Sequence, residues 1–248
     1  MSLLSVTRRG EGRPFVWLHG FTQTRDSAQQ FRTILAESLE LRTLDLPGHG
    51  TAARTSASLE ESADLVADAI GDEPVDVGGY SLGGRVALHL ALAHPRVVRR
   101  LVLVGATRGI PDEAGRAERR ASDEALAERL LATGVERFLD EWLAGPLFAS
   151  LAPDARERAA RSTDADGLAS SLRRAGTGTQ SWLGERLATV RAPVLAIAGE
   201  HDAKFSLEAR AIADAVVDGT VFLVPGAGHA AHLEQPAVTA RRVVEFLV

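Results

Sequence analysis

The 248-residue chain is 45% hydrophobic and carries a formal net charge of −5. That is enough apolar material for the core of a full α/β domain and too acidic a balance for a default nucleic-acid binder. The absence of cysteine excludes disulfides, thiol nucleophiles and thiolate metal sites. No run approaches the roughly 18 apolar residues of a membrane span, and the opening residues lack the basic and long apolar regions of a secretory leader, so a soluble, cytoplasmic protein is expected. Of the 28 basic residues only Lys204 is lysine, so arginine abundance carries no functional signal and each arginine must be argued from its position.

In chain order, Val6 to Arg13 reads as a strand and turn, and Pro14-Phe-Val-Trp-Leu18 as a strand buried on both faces. It runs into His19-Gly20-Phe21-Thr22. Ser27 to Ser38 has helical spacing at Phe31, Ile34 and Leu35; Leu39 to Leu46 is the next strand, followed by the Asp45-Leu-Pro-Gly-His-Gly50 turn. Leu59 to Ile70 repeats apolar residues at helix period. The short run Val75 to Val77 precedes Gly78-Gly-Tyr-Ser-Leu-Gly-Gly-Arg85 and a helical run from Leu82 to His94, which Pro95 stops. Arg99 to Val104 is another buried strand.

From about Thr107 to Trp182 strand-like runs vanish and the chain becomes Ala/Arg/Glu-rich with helical spacing. An inserted helical lid over residues 107–182 is expected, with residues 1–106 and 183–248 forming one doubly wound, mostly parallel sheet domain. Pro193 to Ala198 and Val221 to Val224 read as strands, and Leu207 to Val217 and Pro236 to Leu247 as helices, the last with proline at its start.

Three polar positions fall where strands end. Gly79-Tyr-Ser81-Leu-Gly83 sits between strand and helix, the context in which a sharp turn presents a nucleophilic serine. The alternative is a glycine turn with Ser81 serving as a helix N-cap. Gly199-Glu-His-Asp202 follows one strand and Gly226-Ala-Gly-His229 another, so an acid and a histidine meet the serine on the face where ligands bind open parallel sheets. A serine hydroxyl needs such a base, and the base needs an acid to fix its tautomer. Glu200 and Asp202 both remain as the acid, and Asp202 also suits a helix cap.

An oxyanion needs backbone donors. The amide of Leu82, at a helix N-terminus, is one; the amide of Phe21, after a strand and beside Gly20, is nominated as the second. His19, His49 and His201 read as bracing residues, His89 and His94 as packing or surface, and His232 as a weak site candidate. Arg85 lies four residues after Ser81, on roughly the same helix face, and could bind a substrate carboxylate or pair with an acid beneath the lid. No metal-ligand pattern and no dinucleotide loop are visible, so no metal or cofactor is expected.

These motifs, spread over nearly the whole chain, resemble the α/β-hydrolase superfamily. Within it, Gly79 to Leu88, Trp142 to Leu151, Leu172 to Gln180, Asp202-Ala-Lys-Phe205 and His229 to Pro236 are similar to the 2-succinyl-6-hydroxy-2,4-cyclohexadiene-1-carboxylate synthases of menaquinone biosynthesis. The chain departs from them at Leu143 and in the Ser-Trp-Leu run after Gln180. The resemblance favours Asp202 as the acid. It implies a lyase that eliminates pyruvate from 2-succinyl-5-enolpyruvyl-6-hydroxy-3-cyclohexene-1-carboxylate, with Ser81, Asp202 and His229 abstracting a ring proton. It also implies that Arg85, Arg161 and one of Arg119 or Arg120, here taken as Arg120, hold the substrate carboxylates, with Arg173 a further lid candidate. Trp142 would pack over the substrate or serve the lid core. The competing activity is carboxylester hydrolysis through an acyl-enzyme at Ser81. Expected partners are limited to a small carboxylate-rich molecule, with no nucleic acid or membrane, and the chain is expected as a monomer or homodimer.

Overall fold

The computed structural model describes residues 3–248; the first two residues of the opening stretch, over which no leader is expected, lie outside them. Seven strands form one sheet: β1 (Thr7–Arg9), β2 (Arg13–Leu18), β3 (Leu39–Leu44), β4 (Val75–Tyr80), β5 (Val98–Val104), β6 (Val194–Gly199) and β7 (Gly219–Val224), in the spatial order β1-β3-β2-β4-β5-β6-β7. Only β1 runs antiparallel to its neighbour. The helices are α1 (Gln29–Leu35), α2 (Leu59–Ile70), α3 (Leu82–Ala93), α4 (Glu113–Thr133), α5 (Val135–Leu143), α6 (Ala155–Ala159), α7 (Ala165–Ala175), α8 (Ala203–Ala215), α9 (Ala231–Glu234) and α10 (Pro236–Leu247).

The continuous apolar runs are explained by burial on both faces. In β2, Val16 and Leu18 enter the core beneath α2 and α3, whereas Phe15 and Trp17 enter the core beneath α1 and α10. In β5, Leu101 and Leu103 face the first core and Val102 and Val104 the second. A buried charge interrupts this pattern. Asp76 in β4 is fully buried and accepts two hydrogen bonds from Arg99, both 2.8 Å, and that pairing holds the guanidinium above its usual pKa.

Helix starts follow local chemistry. Ser58 accepts from the Glu61 amide while the Glu61 carboxylate accepts from the Ser58 amide, a reciprocal cap that opens α2. Two helix starts differ from the sequence expectation. α8 begins at Ala203 and not at Leu207, because Asp202 Oδ1 accepts from the Phe205 amide at 3.1 Å and caps the helix early. α1 begins only at Gln29, because Ala28 adopts a left-handed conformation, φ 59°. The four-residue helix α9 has no sequence signal that distinguishes it from a loop.

Residues between β5 and β6 carry α4 to α7. These helices build a small core of their own from Ala127, Leu130, Phe138, Leu168, Ala169 and Leu172, against which Phe21 and Trp142 pack. Their outer surface is dominated by ion pairs such as Arg173 with Glu124 and Arg158 with Glu136. Among the described residues no helix is long and apolar enough to cross a membrane.

Candidate active site

The turn from β4 into α3 is held in a conformation that most residues avoid. Ser81 has φ 49° and ψ −104°, and its amide donates to the Val104 carbonyl at 2.8 Å. Such a left-handed φ costs a non-glycine residue about 1 kcal/mol or more. The glycines on either side are required sterically. A Cβ on Gly79 would lie 2.3 Å from the Gly83 carbonyl carbon, and one on Gly83 would lie 2.2 Å from the Leu18 oxygen. The Ser81 side chain makes no capping hydrogen bond. The N-cap alternative therefore fails, and the hydroxyl is left for another role.

His229 and Asp202 converge as the strand ends predicted. His229 is buried, and its Nδ1 lies 2.9 Å from Asp202 Oδ2; a carboxylate there accepts from Nδ1–H, which in the neutral ring makes Nε2 the acceptor nitrogen. Asp202 uses its other oxygen to cap α8, so cap and histidine partner coexist in one carboxylate. Glu200 is occupied elsewhere, accepting from the Gly226 amide at 3.0 Å. The imidazole is wedged between the rings of Phe205 and Tyr80, at centroid distances of 4.3 and 5.3 Å, and lies against Phe148.

The loop after β2 carries the nominated amide of Phe21. Neither this amide nor that of Leu82 donates to another described residue. Bracing comes from buried histidines. The Leu46 amide donates to His19 Nε2 at 3.0 Å, so His19 Nδ1–H donates to the Gly20 carbonyl at 2.9 Å. Burial pushes His19 down and brings His49, 5.0 Å away ring to ring, to about 3, so both are neutral near pH 7. Beside them Asp45 accepts from Arg25 and Thr51. Burial raises its pKa, but these hydrogen bonds outweigh that and hold the carboxyl below its ordinary value.

Around this centre stand buried donors with no protein partner: Tyr80 Oη, Trp142 Nε1 and Arg161 Nε. Burial raises the Tyr80 pKa, so it stays a neutral hydroxyl. Trp142 stacks on Phe138 at 5.9 Å and meets Phe21 and Phe148 edge-on. Arg161 donates from Nη1 to Thr22 Oγ1 and lies 3.6 Å from Glu157. Unpartnered buried donors are costly unless a ligand completes them.

A model of the alpha/beta hydrolase family matches residues 15–242. The chain belongs to this family. It is 35% identical over 245 residues to the putative 2-succinyl-6-hydroxy-2,4-cyclohexadiene-1-carboxylate synthase of Bacillus subtilis, covering 94% of this chain and 89% of that protein. To the synthase of that name from Serratia proteamaculans it is 33% identical, covering 100% and 99%. Among solved structures, MenH from S. aureus superposes with a TM-score of 0.91 at 30% identity, covering 100% of this chain and 98% of that one. A thermophilic esterase from Thermogutta terrifontis, at 0.83 and 23% identity over 98% and 92%, shares the fold.

In this α/β-hydrolase enzyme the predicted arginines separate. Arg85 is buried, pushed down to about 10 by burial and by nearby Arg119, and donates from Nη1 to the Ala175 carbonyl at 2.9 Å. The expectation left open an ion pair between Arg85 and an unspecified acid beneath the lid; the nearby acid, Asp123, pairs with Arg119 at 2.8 Å. Arg120 is not brought to the serine. It binds the Gly178 carbonyl and Glu113 with its side chain 41% exposed, because its position on α4 faces the α7 end of the insertion and solvent. Arg173 pairs with exposed Glu124.

Sequence reasoning missed Tyr80, Gln23 and Glu157. Tyr80, the sole tyrosine, was readable as the variable residue before the serine; Glu157 looked like any lid acid. A cleft of about 1460 Å³ opens between α1, residues 150–161 and α9. It reaches Arg161 and His232 but not Ser81, Asp202 or His229, so volume alone does not locate the chemistry. Among the described residues no cluster of His, Asp and Glu could hold a metal ion.

Proposed function

We propose that this enzyme is a carbon–oxygen lyase of menaquinone biosynthesis. It eliminates pyruvate from 2-succinyl-5-enolpyruvyl-6-hydroxy-3-cyclohexene-1-carboxylate to give 2-succinyl-6-hydroxy-2,4-cyclohexadiene-1-carboxylate. The observation that carries the reading is the set of unpartnered buried donors Tyr80 Oη, Trp142 Nε1 and Arg161 Nε, of which Tyr80 precedes the serine and packs on His229. A neutral acyl ester does not need such a set; a substrate rich in carboxylates does. The full-length similarity to proteins named as this synthase supports the same reading.

In this mechanism His229 Nε2 takes the Ser81 proton while Asp202 stabilises the imidazolium. The serine oxygen removes the ring hydrogen between the succinyl ketone and the ring double bond. The electron pair enters the ketone, whose oxyanion is held by the Phe21 and Leu82 amides. It then moves through the ring to form the conjugated diene, and the bond to the enolpyruvyl oxygen breaks. The leaving enolate takes a proton and becomes pyruvate, so Ser81 works as a proton relay without an acyl intermediate. Arg161 and Arg85 neutralise the carboxylates, and residues 107–182 act as the lid that covers them.

A lactate dehydrogenase assay for pyruvate tests this directly. Pyruvate release from the enolpyruvyl substrate, with slow turnover of p-nitrophenyl acetate, is expected. Brisk ester turnover without pyruvate would replace the lyase with a carboxylester hydrolase.

A further inference from the structure

The loop that presents the Phe21 amide is bonded both to itself and to the helical segment that follows β5. Thr22 and Ala28, one residue past Phe21 and at the start of α1, both adopt left-handed conformations, φ 67° and 59°. Between them the loop keeps turn bonds of its own, from the Ser27 amide to the Thr24 carbonyl at 3.1 Å and from the Thr24 amide to Ser27 Oγ at 3.2 Å, the Arg25 amide donates to Asp45 at 2.8 Å, and the loop is tied further to the α6 segment of the insertion. Thr24 Oγ1 and Ser27 Oγ donate to the Ala160 carbonyl at 2.6 and 3.1 Å, and the Ser162 amide donates to the Thr22 carbonyl at 2.8 Å.

One carboxylate anchors both ends of this loop. Glu157 Oε2 accepts from the Ala28 amide at 2.7 Å, and Glu157 Oε1 accepts from Gln23 Nε2 at 3.0 Å. The Gln23 orientation is set, because its Oε1 accepts from the Gly20 amide at 2.9 Å. Its Nε2 also lies 3.4 Å from His232 Nε2. Glu157 therefore faces two donors and offers two acceptors. An isosteric amide would turn an N–H toward one of those donors, so the site discriminates carboxylate from carboxamide. The Glu157 side chain is only 12% exposed. Burial pushes the Glu157 carboxyl above its ordinary pKa, and the Ala28 amide, Arg161 and Gln23 offset part of that push.

We propose that Glu157 is a positioning residue: through Gln23 and the Ala28 amide it aims the Phe21 N–H at the reacting oxygen. The oxyanion site is then complete only when the α6 segment is seated on the loop. Oxyanion donors act through preorganisation, and small misplacements are expensive in rate. The insertion thus contributes to the chemical step as well as to substrate binding. This inference rests on Ser81 and the Phe21 amide acting as proposed above, but not on the identity of the substrate.

The test uses the full chain with Glu157→Ala, Glu157→Gln, Gln23→Ala and the Glu157→Ala/Gln23→Ala pair. Three quantities are read: kcat and KM for pyruvate release, the rate at which ethyl p-nitrophenyl methylphosphonate modifies Ser81, and the thermal midpoint. The phosphonate P=O requires the same two amides whatever the natural substrate. Glu157→Ala should lower kcat and the phosphonylation rate together by about tenfold to a hundredfold. KM should be unchanged or lower, since Arg161 loses a neighbouring carboxylate. Glu157→Gln, which keeps one acceptor, should fall between, and the double variant should be no worse than Glu157→Ala because both act along one path. A lowered thermal midpoint with rates per folded molecule intact would reduce Glu157 to a structural latch and overturn the inference, as would additive losses in the pair. Should the unaltered protein be phosphonylated yet release no pyruvate, the lyase reading falls and the phosphonylation rates alone judge Glu157. If Ser81 resists the phosphonate as well, both readings fall.

Discussion

The carboxyl edge of the sheet is held by backbone contacts that leave no room for a side chain, whereas the insertion above it is held by long side chains reaching across to the core. At the edge, Gly79 and Gly83 press their α-carbons against backbone atoms and force Ser81 into its turn. In the insertion, Arg85 reaches the Ala175 carbonyl, Arg161 reaches Thr22 and Glu157 reaches Gln23 and Ala28. A backbone-defined centre can be the same in many enzymes of one fold. A side-chain-defined cover can change substrate and alignment without disturbing it.

If the division holds, the largest effect comes from the edge. Ser81→Ala should lower turnover on the order of 10⁴-fold with the thermal midpoint unchanged or raised, since alanine leaves the turn intact. A small loss would mean the chemistry lies elsewhere. Asp202→Asn should cost on the order of 10³-fold, because it removes the carboxylate that fixes the His229 tautomer; a pH–rate profile with no lost limb would contradict this.

Acid should act on the histidines behind the loops. Burial brings His49 and His232 to about 3 from an ordinary 6.5. Below pH 6.5 the unfolded chain binds their protons and the folded chain does not, so stability present at neutral pH is lost as pH falls toward 3. Each contributes a loss of about 2 kcal/mol between pH 7 and 5, read as a falling thermal midpoint. His49→Gln or His232→Gln should flatten that slope.

The cover should give smaller and more selective effects. Arg161→Ala should raise KM for the polyanionic substrate about tenfold or more while changing p-nitrophenyl acetate turnover little. Arg120→Ala, on the exposed side, should stay within about twofold on both, and a large loss there would bring that arginine back to the site.

Much of the edge was legible because its constraints are local. The Gly-Tyr-Ser-Leu-Gly turn, the strand before it and the helix after it follow from spacing and from glycine sterics. The order of Ser81, Asp202 and His229 along the strands follows from a parallel sheet whose strand ends share one side. Asp202 is the clearest case of a choice that spacing left open. Glu200 stood two residues away with equal chemistry, and only the three-dimensional path of the loop after β6 turned one carboxylate toward His229 and the other toward the Gly226 amide.

The cover was much less legible. Arg120 and Arg161 are both arginines on or beside polar lid helices, and nothing in their neighbours says that one is buried against Thr22 and the other half exposed. Tyr80, Gln23 and Glu157 matter because segments far apart in sequence meet: Gln23 and Glu157 are 134 residues apart. By itself the sequence determined the sheet and the strained serine turn, since hydrophobic period, glycine and proline act over a few residues. Tertiary structure alone decided which acid met His229, which lid arginine was buried, and which distant carboxylate held the oxyanion loop. Those outcomes depend on long-range packing, where the direction of a side chain is set by what it meets and not by what precedes it.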